Sequence, residues 1–215
     1  MKSESLNFGT TVSVNVALPY KVYYPKGYSA SGEPHPLLMF LHGAGERGSD
    51  LSALTATALP KHIEDGDLDL PFVVVAPQCP EGHWWNPLAV DALLDKAIAD
   101  YNIDPSRVYL TGLSMGGRGT WEMANRAGHK LAAIAPICGP FVWVNAAPLQ
   151  RLPMWVFHGV MDSVVPVTES VKMVRMLRAA GCDVKFTTYA DADHDSWTET
   201  YTNPELYDWL LSHRL

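Results

Sequence analysis

The sequence predicts an α/β fold: a mostly parallel, twisted sheet with helices on both faces and no large cap domain. Three observations carry that expectation. Near-continuous apolar runs such as "PLLMFLHG" (36–43) and "PFVVVAPQ" (71–78) suit strands covered on both faces. Patterns with apolar residues at i, i+3, i+4 lie between those runs. The connections are short and free of repeats or low-complexity linkers, so residues 1–215 are expected to form one domain.

The elements follow in order. Residues 11–24, "TVSVNVALPYKVYY", alternate and are rich in β-branched residues, which predicts two N-terminal strands in a hairpin or meander. After the runs at 36–43 and 71–78, further strands are expected in "RVYLTG" (107–112), "LAAIAPICG" (131–139), "LPMWVFHG" (152–159) and "DVKFTTYA" (183–190). A helix over 87–101 presents Val90, Leu93, Leu94, Ala97, Ile98 and Tyr101 on one face, opened by the Asn86-Pro87 cap pair. A second spans the stretch after Gly116 to about Ala127. A third, over 167–180, ends at Gly181, a residue suited to the left-handed turn after a helix. Asn203-Pro204-Glu205 opens a last helix with Leu206, Trp209 and Leu210 inward. Only 138–151 forms an excursion, so no large lid is encoded.

Bulk composition narrows the function. Sixteen Lys and Arg against 23 Asp and Glu give a net charge of −7. A nucleic-acid-binding role is therefore not expected, because phosphate contacts need a basic face. No apolar stretch reaches membrane-spanning length. The N-terminal "MKSESLNFG" lacks an apolar segment, so no signal peptide is expected in this chain, and the compartment stays open. Cys79, Cys138 and Cys182 stand in no metal-ligand spacing and read as small apolar residues. No metal or cofactor is expected. Trp121 and Trp155 read as core.

The chemistry concentrates around "YLTGLSMGGRGTW" (109–121). Gly112-Leu113-Ser114-Met115-Gly116 is a G-x-S-x-G pattern placed between a strand and a helix. The serine must sit in a strained tight turn to project its hydroxyl over the strand ends, and side chains at 112 and 116 would collide with the turning strand and helix. A serine so placed needs partners. "LHGAGERG" (41–48) follows an early strand, with Gly43 and Gly45 letting the chain pass close. The backbone N–H groups of Ala44 and Met115 are the expected oxyanion donors. Glu46 and Arg47 read as braces of that loop, and His42 as a strand-end histidine bonding its own loop. "FHGVMDSVVP" (157–166) offers Asp162 after a late strand, with His158 structural. "YADADHDSW" (189–197) offers His194 after the last strand. Asp191, Asp193 and Asp195 crowd His194, but a loop neighbour has poor geometry for the ring nitrogen facing away from serine, which favours Asp162. The remaining histidines, 35, 62, 83, 129 and 213, read as surface residues.

With "LHGAGERG", "APQCP" followed by "WW", "VYLTGLSMGGRGTW", "APICG", "VFHGVMD..VP" and "HDSW" in hand, the chain resembles an α/β-hydrolase. In particular it resembles the small lidless esterases of the phospholipase/carboxylesterase, dienelactone-hydrolase-like and polyhydroxybutyrate-depolymerase-like groups, which include feruloyl and acetylxylan esterases. The resemblance runs from about residue 20 to the end. It implies a parallel strand order 4-3-5-6-7-8 and serine ester hydrolysis by Ser114, Asp162 and His194. That order also separates Cys79 from Cys138 by three strand spacings, beyond disulfide reach. One departure matters: true dienelactone hydrolases carry cysteine at the elbow, and this chain has Ser114, which disfavours dienelactone as substrate.

Trp84, Trp85, Trp143 and Trp197, with Phe141, are the candidate substrate contacts, suited to sugar rings or phenolic acyl groups. A small-molecule or polysaccharide-linked ester is therefore the expected substrate. An oligopeptidase-like serine peptidase, an acyl thioesterase and a carbon–carbon hydrolase remain alternatives on the same triad. A non-catalytic binding module would normally have lost a triad member.

Overall fold

The computed structural model describes residues 3–11 and 13–215. Seven strands form one sheet: β1 (Tyr20–Tyr23), β2 (His35–Leu41), β3 (Val73–Pro77), β4 (Ile103–Leu113), β5 (Ala133–Ile137), β6 (Met154–Gly159) and β7 (Val184–Tyr189). Their order across the sheet is β1-β3-β2-β4-β5-β6-β7. Every pairing is parallel except that of β1 with β3. The six parallel strands therefore follow the implied order.

Alternate residues of the strands feed two separate cores. Leu37, Met39, Leu41, Val73, Val75 and Leu110 face one side. There they pack on α2 (Pro87–Asp100), α3 (Met115–Ala127) and α4 (Thr168–Ala179) through residues such as Val90, Leu94, Met123 and Leu177. Leu38, Phe40, Val74, Tyr109 and Phe157 face the other, against α1 (Ala58–Glu64), α5 (Trp197–Thr202) and α6 (Pro204–Leu211) through Leu59, Tyr201, Leu206 and Leu210. Trp121 and Trp155 are buried in these two cores. The predicted caps are present: the Asn86 side chain accepts from the Leu88 amide, Asn203 accepts from Glu205, and Gly181 has φ +81°.

The N-terminal expectation needs correction. Among the described residues one strand forms there, Tyr20–Tyr23, rather than two. It pairs antiparallel with β3, ending where Tyr20 meets Pro77 and the Gln78 amide donates to Pro19 O at 2.7 Å. Among the described residues before Tyr20, none forms a strand of the sheet. Their alternation is real but unpartnered, and Val12 lies outside the described residues. Two further helices, α1 and α5, lie outside the predicted ones. α1 is short and carries Pro60, and α5 has only six residues.

Cys79, Cys138 and Cys182 are all free and buried. No helix among the described residues is long and apolar enough to cross a membrane.

Candidate active site

Strand β4 ends at Leu113 and helix α3 begins at Met115, leaving Ser114 as the single residue of the turn. Its backbone sits at φ 52°, ψ −114°, a conformation that costs an L-residue on the order of 1–3 kcal/mol. Two backbone bonds hold it there: Ser114 N–H donates to Ile137 O at 2.9 Å, and Arg118 N–H donates to Ser114 O at 3.1 Å. The turn closes only because Gly116 has no side chain. A Cβ there would stand 1.9 Å from Leu41 O.

His194 reaches this serine from the loop after β7. Its Nε2 lies 2.9 Å from Ser114 Oγ, and its Nδ1 lies 2.7 Å from Asp162 Oδ2. A carboxylate only accepts, so Nδ1 carries the proton and Nε2 is free to accept from the serine hydroxyl. Asp162 Oδ1 is occupied by the amides of Val164 at 2.9 Å and Val165 at 2.7 Å. The acid is thus aimed by its own turn.

Three residues support this arrangement in ways the sequence did not reveal. His158 is buried, and its Nε2 faces two acceptors, Val165 O at 2.8 Å and Asp162 Oδ2 at 3.2 Å. Nε2 therefore holds the proton, while Nδ1 accepts from Ser170 Oγ at 2.7 Å. Burial lowers its pKa, so the contact with Asp162 is a hydrogen bond from a neutral ring rather than an ion pair. Asp193 clamps the two loops together. One of its oxygens accepts from the amides of Ser163 at 2.7 Å and of His194 at 2.8 Å. Asp195 caps the start of α5 through Thr198. Cys138 Sγ lies within 4.8 Å of the ligand atoms of Asp162 and His194. Burial pushes its thiol up to about 12, so it stands there as a protonated small neighbour, poorly suited to holding a metal.

The loop after β2 lies against the serine from the other side. A Cβ at Gly43 would stand 3.7 Å from Ser114 Cβ and 2.8 Å from Leu113 Cδ1, so the close approach expected of Gly43 is present. Gly45 is a correction: nothing lies within 4 Å of a Cβ there. Ala44 opens a short 3₁₀ turn, Ala44–Glu46, and Met115 is the first residue of α3, where an amide has no intrahelical acceptor. Buried Gln78 holds the loop by donating to Glu46 O at 2.9 Å and Asp50 O at 2.8 Å. Arg47 donates to Ala44 O at 2.9 Å.

His42 underlies the loop. Its Nε2 accepts the Cys79 amide at 2.9 Å and its Nδ1 lies 2.6 Å from Gly43 O, which makes it the neutral Nδ1–H form. Burial, opposed by the Gly43 contact, lowers its pKa from 6.5 to about 4. The unfolded chain therefore binds more protons between those values, and stability falls as pH drops through that window, by up to about 3 kcal/mol. His158 acts in the same direction. Burial raises the Glu46 carboxyl, which acts in the opposite one. The melting temperature is expected to be several degrees lower at pH 5 than at pH 7. Equal or higher melting at pH 5 would contradict the buried neutral imidazoles.

The four candidate tryptophans have different fates. Trp85 is 4% exposed and is not a surface contact. Its indole N–H donates to His42 O at 3.1 Å, and its ring packs on Gly119 and edge-on to His42. Trp197 is half-buried and meets the His194 ring edge-on at 5.3 Å. Trp84 and Trp143 are 55% and 80% exposed. The Arg118 guanidinium lies 5.0 Å above the Trp84 ring, and Phe141 packs edge-on against Trp143.

Comparison with known proteins agrees with this architecture. The family model described as the dienelactone hydrolase family matches residues 83–205. A bifunctional acetylxylan esterase/xylanase from Neocallimastix patriciarum is 32% identical over 151 residues, 67% of this chain and 21% of the relative. A poly(3-hydroxyalkanoate) depolymerase C from Paucimonas lemoignei is 31% identical over 150 residues, 62% of this chain and 33% of the relative. The crystal structure of a thermostable esterase superposes with a TM-score of 0.78 at 34% identity, covering 92% of this chain and 60% of that one. The chain thus spans between a fifth and three-fifths of the length of these relatives. The sheet order, the serine turn after β4 and the family match over more than half the chain lead to one assignment: the fold is that of the α/β-hydrolases, and the chain belongs to the dienelactone hydrolase family.

Proposed function

We propose that this chain is a serine carboxylesterase that hydrolyses short-chain, aryl or carbohydrate-linked esters. One observation carries the reading: the unbroken hydrogen-bond relay from Ser114 Oγ through His194 to Asp162, at 2.9 and 2.7 Å. His194 takes the hydroxyl proton as Ser114 Oγ attacks the ester carbonyl. Asp162 holds the imidazole in the tautomer that accepts this proton and stabilises the imidazolium that results. The amides of Ala44 and Met115 receive the oxyanion, each worth roughly 3 kcal/mol in the transition state. His194 then protonates the departing alcohol. In the second half, His194 takes a proton from water as it attacks the acyl-enzyme, then returns that proton to Ser114 Oγ as the acid leaves, regenerating the enzyme.

The open setting supports small acyl groups. Ser114 is only half-buried, and the 138–151 segment carries a single three-residue 3₁₀ turn rather than a lid. Two of the relatives are named for polymeric esters, acetylxylan and poly(3-hydroxyalkanoate), and an open site suits such substrates. A panel of p-nitrophenyl esters from acetate to palmitate, with methyl ferulate, an aminoacyl anilide and an acyl-CoA, tests the reading. Turnover is expected to be highest on the shortest acyl chains. Preference for the anilide or the acyl-CoA would overturn it.

A further inference from the structure

A shallow groove of about 420 Å³ lies on the outside of the molecule. It lies between the start of α2 and the flank of α3, and its walls include Trp84, Trp143, Leu88, Glu122, Asn125 and Arg126. Arg118, whose guanidinium covers the Trp84 ring, is four residues past Ser114 on α3, about 6 Å along the helix axis. Asn125 lies about 16 Å along the same axis. Trp84, one wall of the groove, thus packs under a residue about one turn past the nucleophile.

Two large indoles left this exposed are unusual, because an aromatic ring gains most by burial. They are also held in place. Arg118 Nε donates to Glu122 Oε1 at 2.9 Å while covering Trp84. Phe141 braces Trp143, and the Asn145 amide donates to Asn125 Oδ1 at 2.7 Å, tying the Trp143 segment to α3. That bond fixes the orientation of the Asn125 amide, so its Nδ2 donors are oriented opposite to Oδ1. Among the described residues, neither Asn125 Nδ2 nor Glu122 Oε2 bonds another protein group.

Braced aromatic faces beside a fixed amide donor, a carboxylate oxygen and a guanidinium match one chemistry well. A pyranose ring presents a C–H face that stacks on an indole and a rim of hydroxyls that both donate and accept. A lipid chain would leave Glu122 Oε2 and Asn125 Nδ2 unmatched against hydrocarbon. A protein partner needs roughly 800 Å² of contact on each side, more than this groove supplies. The net charge of −7 argues against nucleic acid.

We propose that this groove is a carbohydrate subsite that holds a pyranose chain while one of its ester groups reaches Ser114. The proposal rests on the esterase reading and deepens it. It assigns Trp84 and Trp143 to the polymer and leaves Trp197, beside His194, to the reacting ester.

The test separates the two claims. The Ser114→Ala protein is titrated calorimetrically with xylohexaose, which carries no ester and reports the groove alone. Measurable binding is expected, weakened about tenfold by adding Trp143→Ala or Trp84→Ala and largely restored by Trp143→Phe. In the active protein, Trp143→Ala is expected to lower kcat/KM on acetylated xylo-oligosaccharide about tenfold relative to kcat/KM on p-nitrophenyl acetate. Trp143 is 80% exposed, so the substitution does not threaten folding. Absent binding, or binding and rate ratios unchanged by both alanine variants, would overturn the subsite and leave the esterase reading intact. A loss confined to methyl ferulate would also overturn it, assigning the indoles to an aryl acyl group instead. Turnover of p-nitrophenyl acetate by Ser114→Ala would overturn the underlying reading.

Discussion

Replacing Ser114 by alanine is expected to lower ester turnover by roughly 10⁴-fold or more while moving the melting temperature by no more than about 2 °C. The asymmetry follows from what the hydroxyl does. Its bond in the folded protein is to His194 Nε2, at a half-buried position where water substitutes for it. The strained φ of 52° is imposed by the backbone bonds to Ile137 and from Arg118, and alanine meets the same constraint. Chemistry is lost, therefore, and the fold is kept. Steady-state kinetics on p-nitrophenyl acetate, with a melting curve on the same sample, checks both halves. Wild-type turnover in the variant would remove the nucleophile from the account.

The opposite pattern is expected of Gly116→Ala. A Cβ there would stand 1.9 Å from Leu41 O, 2.5 Å from Leu41 C and 2.7 Å from His42 O, all backbone atoms of β2 and the loop after it. No rotamer relieves a clash with backbone. Either α3 lifts away from β2 or the loop shifts, at a cost above the roughly 1–3 kcal/mol usual for overpacking. Against a total stability of about 5–15 kcal/mol, that leaves a protein that melts ten or more degrees lower or fails to fold. Gly45→Ala is the control, since a Cβ at 45 meets nothing within 4 Å. Near-equal melting of the two variants would show that the packing of the elbow against β2 is looser than these distances require.

How much of this was legible in the sequence depended on whether the signal was local. The helix caps at Asn86 and Asn203 and the terminator at Gly181 were readable because a cap is satisfied within its own turn. The elbow was readable because its glycines answer a steric demand of one strand and one helix. The N-terminal alternation misled because a strand needs a partner, and β3 ends at Pro77. Trp84 and Trp85 show the limit most sharply. They are neighbours of identical chemistry in an irregular connection, so successive side chains leave in different directions. One packs against His42 and Gly119, and the other faces the groove. The contact of Asp193 with Ser163 joins residues that only the fold brings into register, so no spacing could announce what it supports.

The central claim is that Ser114 becomes covalently acylated with His194 as its base. It is tested most directly by labelling the protein with a serine-reactive sulfonyl fluoride and locating the modified peptide by mass spectrometry. A single adduct is expected on Ser114, formed at least a hundredfold more slowly in His194→Ala. An adduct on any other residue, or equal labelling of Ser114 without His194, would contradict it.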